Sequence, residues 1–190
     1  MFKTVQTIAL LLAASPLAAA SIVYNVNQTI GDGSVVGTIT TDGSFGTLAA
    51  ADVTGFHLTV TGIGASVVLT DADSVVVNTG ANFTASASAL LFDYSGPAGY
   101  LDFQQGSFGT GMKYYCNAST LGDCRQGASA VPQSYNSASA QYQPRTGLQT
   151  IATATAVGGV PEPATWALAL AGFALTGGMM RRRSISAVAA

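Results

Sequence analysis

The chain is expected to be all-β, a β-sandwich or jelly-roll-like exported domain, and three observations carry that expectation. Charged residues make up only 8% of the 190 residues, against about a quarter in ordinary globular chains. Short apolar runs alternate with Thr, Ser and Asn in period two, the spacing that puts one face of a strand against a core. Turn dipeptides built from Gly, Asp and Pro interrupt these runs about every ten residues, with no helical period between them. About eight to ten short strands are expected, more than a parallel α/β sheet would supply without helices. No fixed internal period supports a solenoid.

The first element follows Ser21. Ile22, Tyr24 and Val26 share one face and Asn25 and Asn27 the other, until Gly31-Asp32-Gly33 breaks the run. "VVGTITTDGSFGTL" reads as a hairpin, with Asp42-Gly43 supplying the positive φ of a type I′ turn. In "VTGFHLTVTG", Phe56, Leu58 and Val60 are expected inward and His57, Thr59 and Thr61 outward. "ASVVLT" and "SVVVNT" make two further strands around the acidic turn Asp71-Ala72-Asp73. "SALLFDYSG" places Leu90, Phe92 and Tyr94 on one face, and Gly96-Pro97 turns it into "GYLDFQQG". This aromatic-rich pair is expected to be the most buried hairpin, because aromatic side chains bury the largest areas. Residues 127–143, rich in Ser, Ala, Asn and Gln, read as loop or weak edge strand. "GLQTIATATAV" closes the domain before a "GGVP" hinge.

The N-terminal "MFKTVQTIALLLAASPLAAAS" has a cation at Lys3, an apolar run from Ile8 to Ala14, and small residues at Ala18 and Ala20. That is the three-part layout of a secretory signal peptide, and the run is too short for a permanent span. Cleavage is expected between Ala20 and Ser21. The domains are accordingly 1–20 signal peptide, 21–157 β domain and 158–190 terminal segment. Export makes Cys116 and Cys124, the two cysteines of the chain, an expected disulfide in an oxidising compartment. No His or further Cys lies near enough to suggest a metal site.

Between residues 21 and 160 there are eight Asp and no Glu, against Lys113, Arg125 and Arg145, a net charge of −5. Phosphate backbones are bound by clustered Lys and Arg, so no nucleic-acid partner is expected. His57, the single histidine, has no visible base or nucleophile partner and reads as an exposed residue. Asp71 and Asp73 could offer oxygens to calcium but lack the spacing of a calcium loop; turn chemistry accounts for them. Asp93 and Asp102 fall on neighbouring expected strands and are the candidate acid pair of an exported glycan-active hydrolase. No nucleophile elbow, zinc-binding helix or phosphate loop is present, so no catalytic residue, cofactor or metal is assigned and no enzyme is expected. Asn27-Gln28-Thr29, Asn82-Phe83-Thr84 and Asn117-Ala118-Ser119 match the N-glycosylation pattern.

The terminal segment is the most informative. Residues 164–180 carry no charge, enough for about 25 Å of helix, a marginal membrane span. Trp166 suits the outer interface, and Arg181, Arg182 and Arg183 are expected to stay cytoplasmic as a stop-transfer cluster. Pro161 and Pro163 keep the junction extended around Glu162, the single glutamate. From these residues alone, a simple C-terminal anchor in a periplasmic protein competes with a processing signal.

Pro161-Glu162-Pro163, Trp166-Ala167, Gly172-Phe173 and the arginine cluster together resemble the PEP-CTERM sorting signal, in the variant with two residues between the tripeptide and Trp-Ala. The resemblance covers about the last thirty residues, and the chain continues past the arginines with "SISAVAA". It implies processing by an exosortase, a multispanning membrane enzyme of Gram-negative bacteria that make exopolysaccharide. Pro161, Glu162 and Pro163 would serve recognition, the apolar run membrane insertion, and the arginines stop-transfer. The expected protein is non-enzymatic and exported. It passes through an inner-membrane-anchored intermediate to the cell surface or extracellular matrix, with exopolysaccharide or biofilm as the expected association.

Overall fold

The computed structural model describes residues 20–106, 112–120, 124–133 and 140–155, together with Leu170. The chain divides into two units, Met1–Thr155 and Ala156–Ala190. The first is all-β. In chain order its strands are β1 (Ile22–Ile30), β2 (Gly33–Thr41), β3 (Gly46–Thr47), β4 (Val53–Gly62), β5 (Ala65–Thr70), β6 (Val75–Thr79), β7 (Phe83–Ala85), β8 (Ala89–Asp93), β9 (Tyr100–Gln105), β10 (Lys113–Ala118), β11 (Gly127–Val131), β12 (Gln141–Gln143) and β13 (Leu148–Ala154). A 3-10 turn, Ala50–Asp52, precedes β4.

These strands form an eight-stranded sheet, ordered β3-β7-β8-β13-β1-β2-β4-β5, and a five-stranded sheet, ordered β12-β11-β10-β9-β6. All pairings are antiparallel. Side chains from both sheets meet in one core, including Tyr24, Ile39, Leu58, Phe83, Phe92 and Ile151 from the larger and Leu101, Phe103, Tyr115 and Ala128 from the smaller. That arrangement is a β-sandwich, the solution that lets two half-apolar sheets bury their inner faces against each other.

The period-two reading of the first strands holds. Tyr24, Val26 and Ile30 are buried on β1, and Phe56, Leu58 and Val60 on β4, while His57 is exposed. Gly31-Asp32 is a two-residue hairpin turn between Ile30 and Gly33. Gly31 takes φ +58, a conformation glycine adopts without a Cβ penalty. Gly37 is required for another reason: a Cβ there would lie 1.9 Å from the His57 carbonyl oxygen, at the centre of the β2–β4 pairing.

Three expectations are corrected. Residues 35–48 do not form a hairpin at Asp42-Gly43. β2 already has β1 on one edge and β4 on the other, so no place is left beside it, and Gly46–Thr47 pairs with β7 at the far edge of the same sheet. Positive φ occurs at Gly43 but at no non-glycine residue, so the two central positive φ values of a type I′ turn are not met. The Asp42 carboxylate instead accepts the Ser44 amide at 2.9 Å and hydroxyl at 3.0 Å, an Asx turn.

Nor do β8 and β9 pair. β8 lies between β7 and β13 in the larger sheet, β9 between β10 and β6 in the smaller. The turn after Asp93 therefore carries the chain from one sheet to the other. The aromatic rings that suggested a hairpin serve the core from both sides: Phe103 of β9 packs edge-on to Phe56 of β4 at 5.0 Å, and Phe92 lies 4.9 Å from Tyr94. The third correction concerns residues 127–143. β12 is a three-residue edge strand, as that reading allowed, but β11 is an internal strand buried along its whole length, with Ala128 and Ala130 in the core.

Candidate functional sites

The acidic candidates do not converge. Asp93 ends β8 and accepts the Ser95 amide at 2.9 Å, the local chemistry of a turn. Asp102 sits on β9, in the other sheet, and is 1% exposed. Its carboxylate lies within 4.8 Å of the sulfurs of Cys116 and Cys124, but those sulfurs are joined to each other as a disulfide and offer no thiolate to a metal. The expected cysteine pairing is therefore present.

Asp73 accepts the Thr70 amide and hydroxyl at 3.1 and 2.9 Å, the Ser74 hydroxyl at 2.9 Å and the Gln105 side-chain amide at 2.6 Å. These donors, the Thr70 hydroxyl first, hold its carboxyl below the usual value. The Asp71–Asp73 segment links β5 in one sheet to β6 in the other, which is the turn role its composition suggests.

The three glycosylation tripeptides separate by burial. Asn82 is 2% exposed and Asn117 fully buried, whereas Asn27 is exposed on β1. Asn82 donates to Pro97 O at 2.6 Å and Ser119 Oγ at 2.9 Å, tying the inter-sheet turn to the end of β10. Asn117 Oδ1 accepts the Tyr94 hydroxyl at 2.5 Å and the Tyr115 hydroxyl at 3.4 Å. Burial raises the pKa of both phenols. Arg145 borders this network, donating to Gln28 Oε1 at 2.7 Å, Tyr94 Oη at 3.4 Å and Thr29 O at 3.2 Å, with its guanidinium 5.8 Å from the Tyr94 ring centroid. Sequence reasoning missed this polar cluster; its one advance signal is that Arg145 is among only three cations of the domain.

The other extended feature is the outer face of the larger sheet. Pairing registers align Thr29, Ser34, Thr61 and Ser66 in one row across β1, β2, β4 and β5. A second row holds Asn27, Val36, Thr59 and Val68, and a third Asn25, Thr38, His57 and Thr70. None of these twelve positions is a carboxylate, Lys or Arg. Seven of the twelve are Thr or Ser and two are Asn, so the surface is mainly hydroxyl and amide, interrupted by exposed Val36 and Val68 and by His57.

Ala20 and Ser21, the expected cleavage junction, are exposed just ahead of β1. Pro161, Glu162, Pro163, Trp166, Arg181, Arg182 and Arg183 lie outside the described residues, as does the expected span 164–180 except for Leu170. Among the described residues, no helix is long and apolar enough to cross a membrane. Comparison with curated proteins and with solved structures finds no match. The family comparison does match the tail: residues 159–184 fit the PEP-CTERM protein-sorting motif. That interval includes the Pro-Glu-Pro tripeptide, Trp166 and all three arginines. The chain thus carries a PEP-CTERM sorting motif at its C-terminal end, the mark of an exported protein that an exosortase sorts through a membrane-associated stage.

Proposed function

We propose that this is a non-catalytic surface or extracellular-matrix protein, delivered by its C-terminal signal, whose β-sandwich contacts neutral exopolysaccharide through the outer face of the larger sheet. The observation that carries this reading is the match of residues 159–184 to the sorting motif. The face supports it chemically. Rows of Thr, Ser and Asn hydroxyls and amides can exchange hydrogen bonds with sugar hydroxyls without desolvating a charge, which would be costly. The signal peptide supplies entry to the export route, and the run 164–180 holds the chain at the inner membrane until processing.

Two measurements test the two halves of the reading. Intact mass of the exported protein should show loss of the segment after the tripeptide, and Glu162→Ala should abolish that loss. An uncleaved mass in both would leave a simple membrane anchor. Co-sedimentation with purified neutral exopolysaccharide should be retained by the wild-type chain and weakened by Asn25→Ala/Asn27→Ala/Thr59→Ala. Binding unaltered by that triple change would remove the sheet face from the reading.

A further inference from the structure

Asn82 is 2% exposed, and among the described residues no donor reaches its side-chain oxygen Oδ1. The orientation of this amide is fixed. Its nitrogen donates to Pro97 O at 2.6 Å and to Ser119 Oγ at 2.9 Å, and turning the amide over would set Oδ1 against the Pro97 carbonyl oxygen. A buried acceptor left without a partner costs stability, so the position calls for a donor or a cation. A second oxygen faces the same place. The Asp93 amide donates to Asn82 O at 2.9 Å, which brings the approach to β7 against the end of β8. Asp93 Oδ1 accepts the Ser95 amide at 2.9 Å, which leaves Oδ2 outside that turn bond. The chain then folds back, with the Gly96 amide donating to Asp93 O at 3.4 Å. A Cβ built on Gly96 would lie 2.4 Å from Asn82 Oδ1 and 3.2 Å from Asp93 Oδ2. Gly96 is not among the glycines of positive φ, so backbone conformation does not demand it. What demands it is the convergence of these two oxygens.

We propose that Asn82 Oδ1 and Asp93 Oδ2 bind a calcium ion at the turn that carries the chain from one sheet to the other. One carboxylate oxygen and one amide oxygen, with no nitrogen or sulfur donor, make a hard site, which suits calcium or magnesium and not a transition metal. Calcium is the better fit. It accepts irregular sets of about six to eight oxygens, whereas magnesium demands a near-ideal octahedron. Ser95 and Pro97, on either side of Gly96, are exposed, so water completes the shell from the solvent side.

Charge agrees with this assignment. Among the described residues no Lys or Arg is bonded to Asp93, and Arg145 donates instead to Gln28, Tyr94 and Thr29. A cation therefore both neutralises the carboxylate and satisfies the buried amide oxygen. A single carboxylate ligand puts the site in the weak class, with a dissociation constant on the order of 10⁻⁴ to 10⁻³ M, the range of extracellular modules. That range suits the export that the tail implies. Because Asn82 also holds Pro97 and Ser119, the ion braces the crossing between β8 and β9 against the end of β10. The inference does not depend on what the outer face of the larger sheet contacts.

The test is calorimetric titration of the full chain, freed of metal by a chelator and held in uncharged detergent micelles, with calcium chloride. The wild-type chain should bind calcium, and its thermal midpoint should rise with calcium concentration. Asp93→Asn keeps the acceptor for the Ser95 amide and sets a side-chain amide donor beside Asn82 Oδ1. It should fold, as circular dichroism establishes, and bind calcium at least about tenfold more weakly. Asp71→Asn, in the exposed acidic turn between β5 and β6, should leave the affinity unchanged. A wild-type chain that binds no calcium would make a water the occupant and overturn the proposal. So would binding that is indifferent to Asp93→Asn, binding lost with Asp71→Asn, or tighter binding of magnesium chloride. Should Asp93→Asn not fold, NMR of the wild-type chain decides: calcium must shift the amide resonances of Ser95 and Gly96, and a titration that leaves them in place refutes the site.

Discussion

Tyr94 and Tyr115 share one acceptor, Asn117 Oδ1, inside the sandwich. Burial, the dominant cause, raises both phenols above their ordinary value of 10.0, with Arg145 acting in the opposite sense. The sign of the pH effect follows. Below pH 10 both tyrosines are neutral in the folded and unfolded chain, and their contribution is fully present. Above it the unfolded chain releases these protons while the native chain retains them, so stability falls as pH rises toward the folded pKa values. Urea melts should be insensitive to these residues between pH 8 and about 10 and lose midpoint beyond it, with tyrosinate absorbance rising together with unfolding. A tyrosinate signal that appears while the fold persists and is lost in the Tyr94→Phe/Tyr115→Phe variant would contradict the burial argument. At this scale the sequence was only partly legible. Periodicity placed Asp102 on a strand, and it lies on β9. It could not tell that Asp102 is also buried, because period two says which residues share a face and not whether that face meets water. The glycosylation tripeptides fail in the same way: only the fold distinguishes exposed Asn27 from buried Asn82 and Asn117.

Elements were recovered better than their partners. Apolar periodicity located β1, β4, β5, β6, β8, β9 and β13, since each run is a local property of its own residues. Hairpins depend on something nonlocal, whether a neighbour's edge is still vacant. Gly31-Asp32 joins strands that had vacant edges, whereas Asp42-Gly43 follows a strand with both edges occupied. The same limit hid the sheet change between β8 and β9. The Cys116–Cys124 bond, by contrast, was legible from count and compartment alone. It spans eight positions, from the fourth residue of β10 to the approach to β11. Replacing both cysteines by alanine should lower unfolding stability by about 2 to 3 kcal/mol through the freer unfolded chain. Denaturant titration of the double variant checks this, and an unchanged midpoint would mean that the native state already loses as much as the unfolded state gains.

For the whole molecule, composition and turn spacing were enough for the all-β class, and the tail was enough for the sorting signal. The two-sheet order lay beyond reach because it depends on pairs far apart in sequence. β13 illustrates this: it sits between β8 and β1 at the middle of the larger sheet and brings buried Ile151 and Ala152 to the core. A chain ended after Thr146 should therefore lack a cooperative thermal transition, and a cooperative melt in that truncation would show that the remaining strands suffice.

The pairing of β1 with β13 has a consequence for transit across the membrane. Tyr24 lies opposite Ala154, and Thr155 donates its amide to Val23 O at 2.9 Å, so the polypeptide enters and leaves the sandwich side by side. A chain emerging N-terminus first cannot close its larger sheet until the last strand has come through, and loop closure over such a distance has to be met before any contact repays it. The domain would stay threadable for as long as it needs to be threaded. In that order of emergence its locking would coincide with the arrival of the sorting tail.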